Sequence, residues 1–286
     1  MKTGRCAVQV FLIVFLFLTA AGFAVEKGKN RVRLGVCDWT IEKTGDPAAL
    51  ELAKKLGLEG VQVSISVSGD TLPLLQPKLQ KTYLDAVKLT GVGIASFCIG
   101  QLNSIPYKSD PRAEKWLEQS IGICKAMGVG IVLVPFFGKG DLLNDPQGVK
   151  TVVARLKRVA PKAEKAGVVL ALESQLSAED HLKIIDQVGS PAVRVYYDVA
   201  NSQKMGYNIF KEIRLLGKRI AQMHAKDSKD LYGKGSMDFA AVRKAMEDIG
   251  YGGWLVMEGT KMPLGIEESN RFDANYLKTL FPVESK

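Results

Sequence analysis

The sequence predicts an α/β protein of the (β/α)8 class, a TIM barrel formed by a single domain. Eight short apolar runs alternate with stretches of helical periodicity, and successive runs begin about 25 to 40 residues apart. The length also fits, because such barrels have about 250 residues. An open doubly wound sheet is the rival fold, but it normally has fewer strands and a glycine-rich phosphate loop after the first strand, which this sequence lacks.

The predicted strands are rich in valine, isoleucine and leucine, and several follow a glycine that ends a helix. Short apolar runs of this kind are typical of parallel strands that are buried on both faces. They occupy residues 33–37, 60–64, 93–98, 130–136, 167–173, 193–198, 219–224 and 253–258.

The stretches between the strands carry helix start and stop signals. Asp-Pro pairs at 46–47, 110–111 and 145–146 supply an N-cap and a first-turn proline. Glycines end these stretches at positions 57, 128 and 167, and a fourth helix is predicted from Asp238 to Gly250.

Residues 1–24 have the three-part layout of a cleaved secretory signal peptide. Lys2 and Arg5 precede an apolar core, and small residues lead to a cleavage point after Ala24. A retained membrane anchor is the alternative, but the apolar run is short of the ~20 residues that a span needs. The sequence therefore predicts an exported, periplasmic or secreted protein whose barrel domain occupies residues 25–286 and has no stable membrane anchor.

Charge and cysteine content narrow the possible partners. The formal charge of +9 falls to +7 once Lys2 and Arg5 are removed, and the lysines are scattered along predicted helices. This distribution favours a solvated outer face over a nucleic-acid surface.

Cys37, Cys98 and Cys124 are an odd number of widely spaced cysteines, so we expect buried free thiols, with one disulfide bridge as the alternative.

Four ionisable residues end four successive predicted strands. They are Glu173, Asp198, His224 and Glu258 on the fifth to eighth strands. Active residues of (β/α)8 enzymes lie at these carboxyl ends. Because side chains alternate along a strand, each of the four shares a face with the residue two positions before it, and together they are expected to converge on one mouth.

Three carboxylates at one mouth would repel one another and resist burial, and a divalent cation removes that penalty. Two glutamates, an aspartate and a neutral imidazole suit Mn²⁺ best, with Mg²⁺, Co²⁺ or Zn²⁺ as alternatives. A lone carboxylate at a strand end is usually a loop cap or an ion-pair partner, but four at successive ends favour a metal site. His181 lies within a predicted helix and is expected on the surface.

Five motifs resemble the xylose isomerase-like TIM barrels, a family that includes sugar isomerases and epimerases, inosose dehydratases and, more distantly, the endonuclease IV group. In chain order they are LALES (170–174), YYDVAN (196–201), HAKD (224–227), YGKGSMDF (232–239) and GYGGWLVME (250–258). The resemblance implies that the four strand-end residues hold the metal. It also implies that Glu173 and Glu258 serve as acid and base on a chelated keto sugar.

The sequence departs from the family pattern at three positions. Asn201 stands where many epimerases have a histidine, and Asp230 stands where epimerases of free ketoses have an arginine. Gln62 stands where many relatives end the second strand with a glutamate. These departures leave the predicted metal ligands intact and bear on the substrate and the outcome of the reaction.

Further residues near strand ends are expected to line the sugar pocket. They are Trp39, Gln62, Gln101, Phe136, Gln175, Asn201, Lys226 and Lys261. For Lys226 and Asp227 two interpretations stay open: a lysine that touches a substrate oxygen, or a loop that Asp227 caps while Lys226 lies in solvent.

The sequence therefore predicts an exported, divalent-metal-dependent sugar isomerase or epimerase that abstracts a proton beside the carbonyl of a keto sugar. Sugar phosphates are mainly cytoplasmic, so export favours an unphosphorylated substrate. A lyase or dehydratase acting on a keto sugar or 3-keto-glycoside is the alternative, and a non-catalytic sugar-binding barrel is a remote one. A DNA-repair nuclease is disfavoured because it needs several histidines and the chain has 2. A homo-oligomer is possible.

Overall fold

Eight parallel strands close into a barrel in sequence order, as predicted. The computed structural model describes residues 31–259 and 261–282. Each strand pairs with its sequence neighbours, and the first pairs with the last. The strands are β1 Arg33–Cys37, β2 Gly60–Ser64, β3 Gly93–Cys98, β4 Ile131–Phe136, β5 Val169–Ser174, β6 Val193–Asp198, β7 Ile220–Ala225 and β8 Trp254–Met257.

Helices follow the strands and cover the outside of the barrel. Those in the described part of the chain are α1 Ala48–Lys55, α2 Pro77–Thr90, α3 Pro111–Met127, α4 Pro146–Ala166, α5 Ala178–Val188, α6 Val199–Lys204, α7 Ile209–Leu216, α8 Phe239–Asp248 and α9 Ile266–Leu280. Short 3-10 turns lie at Pro73–Leu75, Gly100–Asn103, Gly138–Gly140 and Gly217–Arg219.

The predicted capping aspartates begin three of the helices. Asp110, Asp145 and Asp238 accept backbone N–H bonds at the starts of α3, α4 and α8. At α1 the cap position falls on Pro47, and the Asp46 carboxylate accepts the N–H of Ala48 at 2.9 Å. The sequence therefore located the start of α1 to within one residue.

The indole of Trp254, the first residue of β8, packs inside the amino-terminal end of the barrel. A Cβ on Gly60 would lie 2.6 Å from the Trp254 ring, so the glycine is needed where β2 passes the indole. The guanidinium of Arg33 lies 4.1 Å from the centre of the same ring. The indole therefore fills interior space at the amino-terminal ends of the strands, at the opposite end from the four predicted strand-end residues.

Two predictions concern the cysteines and the amino-terminal segment. Cys37, Cys98 and Cys124 are buried free thiols, as expected. The predicted signal peptide at 1–24 lies outside the described residues, so cleavage and export stay predictions. In the part of the chain that the structure describes, no helix is both long and apolar enough to cross a bilayer.

The expected surface position of His181 is wrong. His181 lies on α5 and is 4% exposed. It shares the buried stripe of that helix with Ala178, Ile184 and Val188, at the three- and four-residue spacing of an inward face. Its Nδ1–H donates to the carbonyl of Ser177 at 3.1 Å, and its Nε2 accepts the Ser174 hydroxyl proton at 2.9 Å. The ring is a neutral packing residue.

Burial lowers the pKa of His181 from 6.5 to about 4. Between those values the unfolded chain binds a proton that the folded chain does not, so this residue costs stability as the pH falls below 6.5. We expect the difference in unfolding free energy between the native chain and His181→Gln to shrink by about 2 kcal/mol from pH 7 to pH 5. Urea unfolding at both pH values measures it. A constant difference would contradict the buried neutral ring.

Candidate metal centre

The carboxyl ends of β5, β6, β7 and β8 bring four predicted residues together. Glu173 is on β5, Asp198 ends β6, His224 is on β7, and Glu258 directly follows β8. Asp198 and His224 are paired across neighbouring strands. One ligand atom from each of the four lies within 4.8 Å of the others. The expected convergence is therefore present.

The Nδ1 atom of His224 lies at the centre of this cluster. It is 3.1 Å from Glu173 Oε1, 3.6 Å from Asp198 Oδ2 and 3.6 Å from Glu258 Oε2. Glu173, Asp198 and His224 are buried, and Glu258 is partly exposed at the mouth. Such a set of three carboxylate oxygens and one imidazole nitrogen fits a divalent cation.

Asp198 supplies an independent sign that the cluster is built for a cation. Its Oδ1 accepts the N–H groups of Ala200 and Asn201, both at 2.8 Å, at the start of α6. Its Oδ2 faces the cluster, is buried, and has no hydrogen-bond partner among the described residues. A buried carboxylate oxygen without a hydrogen bond carries a large desolvation cost, which the Lys226 ammonium 3.6 Å away offsets in part and a bound cation would offset further.

The electrostatics of the cluster point the same way. Burial raises the pKa of Glu173, and the charges of Glu258 and Asp198 raise it further. Burial alone would lower the pKa of His224, but Tyr196 and Cys37, followed by the carboxylates of Glu173 and Glu258, outweigh burial and raise that pKa well above its usual value. These two shifts favour protons on Glu173 and His224, which a binding cation would have to displace, whereas the pKa of Asp198 is lowered despite its burial.

Lys226 lies inside the mouth. Its Nζ is 2.8 Å from Glu258 Oε2 and 3.6 Å from Asp198 Oδ2. Burial lowers its pKa, but the Asp198 and Glu258 carboxylates outweigh burial, so the pKa lies above its usual value and the amine stays charged. Asp227 accepts the N–H groups of Lys229 and Met237, both at 2.8 Å. Each interpretation left open by the sequence is thus half correct: Lys226 is at the pocket and Asp227 caps the loop.

A cavity of about 430 Å³ opens above the cluster. Trp39, Asn201 and Lys226 line it together with the two glutamates, as expected. The Trp39 indole donates to Glu258 Oε1 at 3.0 Å, and the Asn201 amide lies 3.5 Å from Glu173 Oε1. The other lining residues are Thr44, Ser64, Cys98, Gly100, Asn103, Leu133, Pro135 and Phe137.

Three glutamines expected at the pocket lie elsewhere. Gln62 faces the barrel interior, but one layer below the mouth, where Ser64 takes its expected place. Gln101 is exposed and donates to Ser104. Gln175 follows the end of β5, and its carbonyl accepts the Tyr207 hydroxyl at 3.2 Å. The alternation of inward and outward faces stops where a strand ends, so it could not place the last two.

Two more residues expected at the pocket, Phe136 and Lys261, lie outside it, and two residues that were not expected, Asn103 and Phe137, line it. Phe136 is buried outside the cavity, because Leu133 and Pro135 on β4, and Phe137 directly after it, form the inward series. Lys261 is exposed and is not among the lining residues. Asn103 was missed; its Oδ1 accepts the Phe137 N–H at 3.2 Å and fixes both residues at the mouth. No sequence pattern marks that contact, since it joins two loops.

The chain belongs to the family described as xylose isomerase-like TIM barrel, whose model matches residues 50–279. It is 25% identical over 229 residues to an L-ribulose-5-phosphate 3-epimerase of Escherichia coli (strain SMS-3-5), covering 73% of this chain and 80% of the relative. It is 30% identical over 125 residues to a D-psicose 3-epimerase of Enterocloster bolteae, covering 40% and 42%.

Among solved structures, the fold resembles that of a 3-keto-D-glucoside 4-epimerase from E. coli. The TM-score is 0.72 at 17% identity, and the match covers 87% of this chain and 100% of that one. At this identity the likeness concerns the fold.

We expect the protein to bind Mn²⁺, and Asp198→Asn to weaken binding by at least about 10-fold, because it removes the charge on the oxygen that faces the cluster. Isothermal titration calorimetry measures both affinities. Asp38→Asn is a matched control: Asp38 is also a buried aspartate at a strand end, but Gly45 and Ser64 occupy its oxygens. Equal losses in the two variants would contradict a cation beside Asp198.

Proposed function

We propose that the protein is a divalent-metal-dependent isomerase or epimerase of a keto sugar. The observation that carries this proposal is the pair Glu173 and Glu258, which reach one cavity from strands three apart on the rim, with His224 and Asp198 between them. The relatives above that are named as epimerases of L-ribulose-5-phosphate and D-psicose support the same class of reaction.

The two glutamates have different surroundings, which suits opposite roles. Glu173 is buried, with a raised pKa, and its Oε1 lies 3.1 Å from His224 Nδ1 and 3.5 Å from the Asn201 amide. Glu258 accepts hydrogen bonds from the Trp39 indole and the Lys226 ammonium, which hold its carboxylate at the mouth. A bound divalent cation would polarise the substrate carbonyl and acidify the neighbouring C–H.

Proton movement between the glutamates would decide the product. If one glutamate removes the proton and the other returns it from the opposite face, the product is an epimer. If the proton returns to the adjacent carbon, the product is an isomer. The substrate carbon must then lie between Glu173 and Glu258, above His224.

The lining of the cavity supports an unphosphorylated sugar. Among the described lining residues Lys226 is the one cation, and Glu258 and Asp198 already occupy it. Three carboxylates, one ammonium and a divalent cation sum to zero charge, so a phosphate dianion would find no unpaired positive group there. Trp39 and Phe137 offer apolar surfaces of the kind that cover the C–H faces of a sugar ring.

A lyase or dehydratase is the second candidate, and Lys226 favours it. The ammonium group lies in the cavity beside Glu258, where it can donate a proton to a departing oxygen after the C–H bond next to a ketone is broken. A 3-keto-glycoside has such a leaving group. Asn201 and Asp230, which replace residues usual in the epimerases, leave this outcome open.

We further propose that the protein is exported after removal of residues 1–24. Support comes from the layout of that segment alone. Amino-terminal sequencing of the protein recovered from the periplasm or medium should begin at Val25.

Deuterium incorporation from D₂O tests the proposed chemistry. With Mn²⁺ present, we expect solvent deuterium at the carbon beside the ketone of a free ketose or a 3-keto-glycoside, and slower exchange with the matching ketose phosphate. Glu173→Gln and Glu258→Gln should each slow exchange by about 10²- to 10⁴-fold, as expected for loss of a general acid or base.

Glu212→Gln is the control for the exchange experiment. Glu212 is a buried glutamate that binds Ala178 and Tyr197 outside the cavity, so its variant should exchange at the native rate. Turnover without any exchange would contradict the acid–base roles of the two glutamates. Faster exchange with the phosphate would contradict the unphosphorylated substrate.

A further inference from the structure

A layer of polar side chains lies in the barrel interior directly below His224. This polar layer consists of Cys37 on β1, Gln62 on β2, Ser96 on β3 and Gln222 on β7, and each is 0% exposed. None of the four belongs to the cluster of three carboxylates and one imidazole above them. Buried polar groups are costly unless they are hydrogen-bonded, so a layer at this position needs a reason.

We propose that Gln62 is a positioning residue that orients the His224 ring and selects its neutral tautomer. Gln62 Oε1 lies 2.8 Å from His224 Nε2. A carbonyl oxygen only accepts, so Nε2 must carry the proton and donate it. In the neutral ring this leaves the lone pair on Nδ1, the nitrogen that faces Glu173, Asp198 and Glu258. This inference rests on the metal centre proposed above.

The orientation of the Gln62 amide is itself fixed by the polar layer. Gln62 Nε2 donates to Ser96 Oγ at 2.8 Å, and Gln222 Nε2 donates to the same oxygen at 3.1 Å. On the other side the Cys37 thiol donates to Gln62 Oε1 at 3.2 Å. A reversed amide would lose the acceptor of Cys37 and turn an NH₂ group toward His224. Ser96 and Cys37, which bond Gln62 directly, therefore hold its carbonyl against the ring, whereas Gln222 donates to Ser96 rather than to Gln62.

The proton position decides what the cluster can hold. With the proton on Nδ1, the ring would donate to Glu173 Oε1, 3.1 Å away, and would have no lone pair for a cation. With the proton on Nε2, Nδ1 is a ligand atom among three carboxylates. Outer hydrogen bonds of this kind orient ligating histidines and typically change metal affinity by about 10- to 100-fold. Gln62 thus favours the neutral tautomer whose Nδ1 lone pair can bind a cation.

Mn²⁺ affinity, measured by calorimetry, tests this role without relying on turnover. We expect Gln62→Leu to bind Mn²⁺ about 10- to 100-fold more weakly than the native chain. Gln62→Glu keeps an acceptor beside Nε2, so its affinity for Mn²⁺ should be well above that of Gln62→Leu. The matched control is Gln222→Leu, which removes an equally buried amide of the same layer that donates to Ser96 and should change affinity less than about threefold. Equal losses in the two leucine variants would overturn the proposal.

Nitrogen-15 NMR of the imidazoles gives a second test, which does not depend on metal. The chain has 2 histidines, so two rings are observed. We expect His224 to show an Nε2–H proton protected from solvent, whereas His181 shows an Nδ1–H proton. Gln62→Leu should lose the protection at His224 and leave the His181 signal unchanged. A native His224 without an Nε2–H proton would overturn the proposal.

The two measurements separate this inference from the proposed function. If the native chain shows the protected Nε2–H proton but binds no Mn²⁺, the metal centre fails and the Gln62 hydrogen bond stands. If Gln62→Leu does not fold, Ser96→Ala retains Gln62 but removes its anchor. Ser96→Ala should then weaken both Mn²⁺ binding and the protection of the His224 Nε2–H proton. Native values for both measurements would overturn the proposal.

Discussion

The organisation of this protein depends on the mutual repulsion of three carboxylates that a closed barrel forces into one buried space. Parallel strands that close in sequence order bring the ends of β5 to β8 to one rim, where Glu173, Asp198 and Glu258 surround a single imidazole nitrogen. Like charges at this separation are costly where water is excluded. The neighbouring features all bear on that cost: the paired Lys226, the half-capped Asp198, and the neutral amide below His224.

The two halves of the barrel mouth differ in the chemistry of their lining residues. The strands and loops β1 to β4 supply aromatic, apolar and neutral polar lining, including Trp39, Asn103 and Phe137. The strands and loops β5 to β8 supply Asn201 and all the charged groups of the cavity lining. A sugar has a polar rim and apolar C–H faces, so a cavity with one charged wall and one neutral, aromatic wall can orient it. Under the proposed function, the clustered carboxylates would lie at one edge of the sugar and the neutral, aromatic wall at the other.

The ionisable cluster and the polar layer that contacts His224 lie at different depths in the barrel. The three carboxylates and His224 lie at the strand ends, the polar layer lies directly beneath them, and Trp254 packs at the opposite end of the interior. The polar layer is neutral, so it can orient His224 without adding a fourth negative charge to the cluster. Hydrogen bonds in this buried layer hold their geometry, because a group that moves away from its partner has no water to bond to instead.

The sequence by itself determined the barrel and the convergence of Glu173, Asp198, His224 and Glu258, because strand alternation and the order of parallel strands are local and repetitive. The same local patterns held a correct signal for His181, whose spacing matched the buried stripe of α5. Only the tertiary structure decided the rest. It placed Gln62 below the mouth, left Gln101 and Gln175 outside it, and brought Asn103 and Phe137 into it. Those positions depend on depth in the barrel and on contacts between loops from different strands, and neither has a period that a sequence can display.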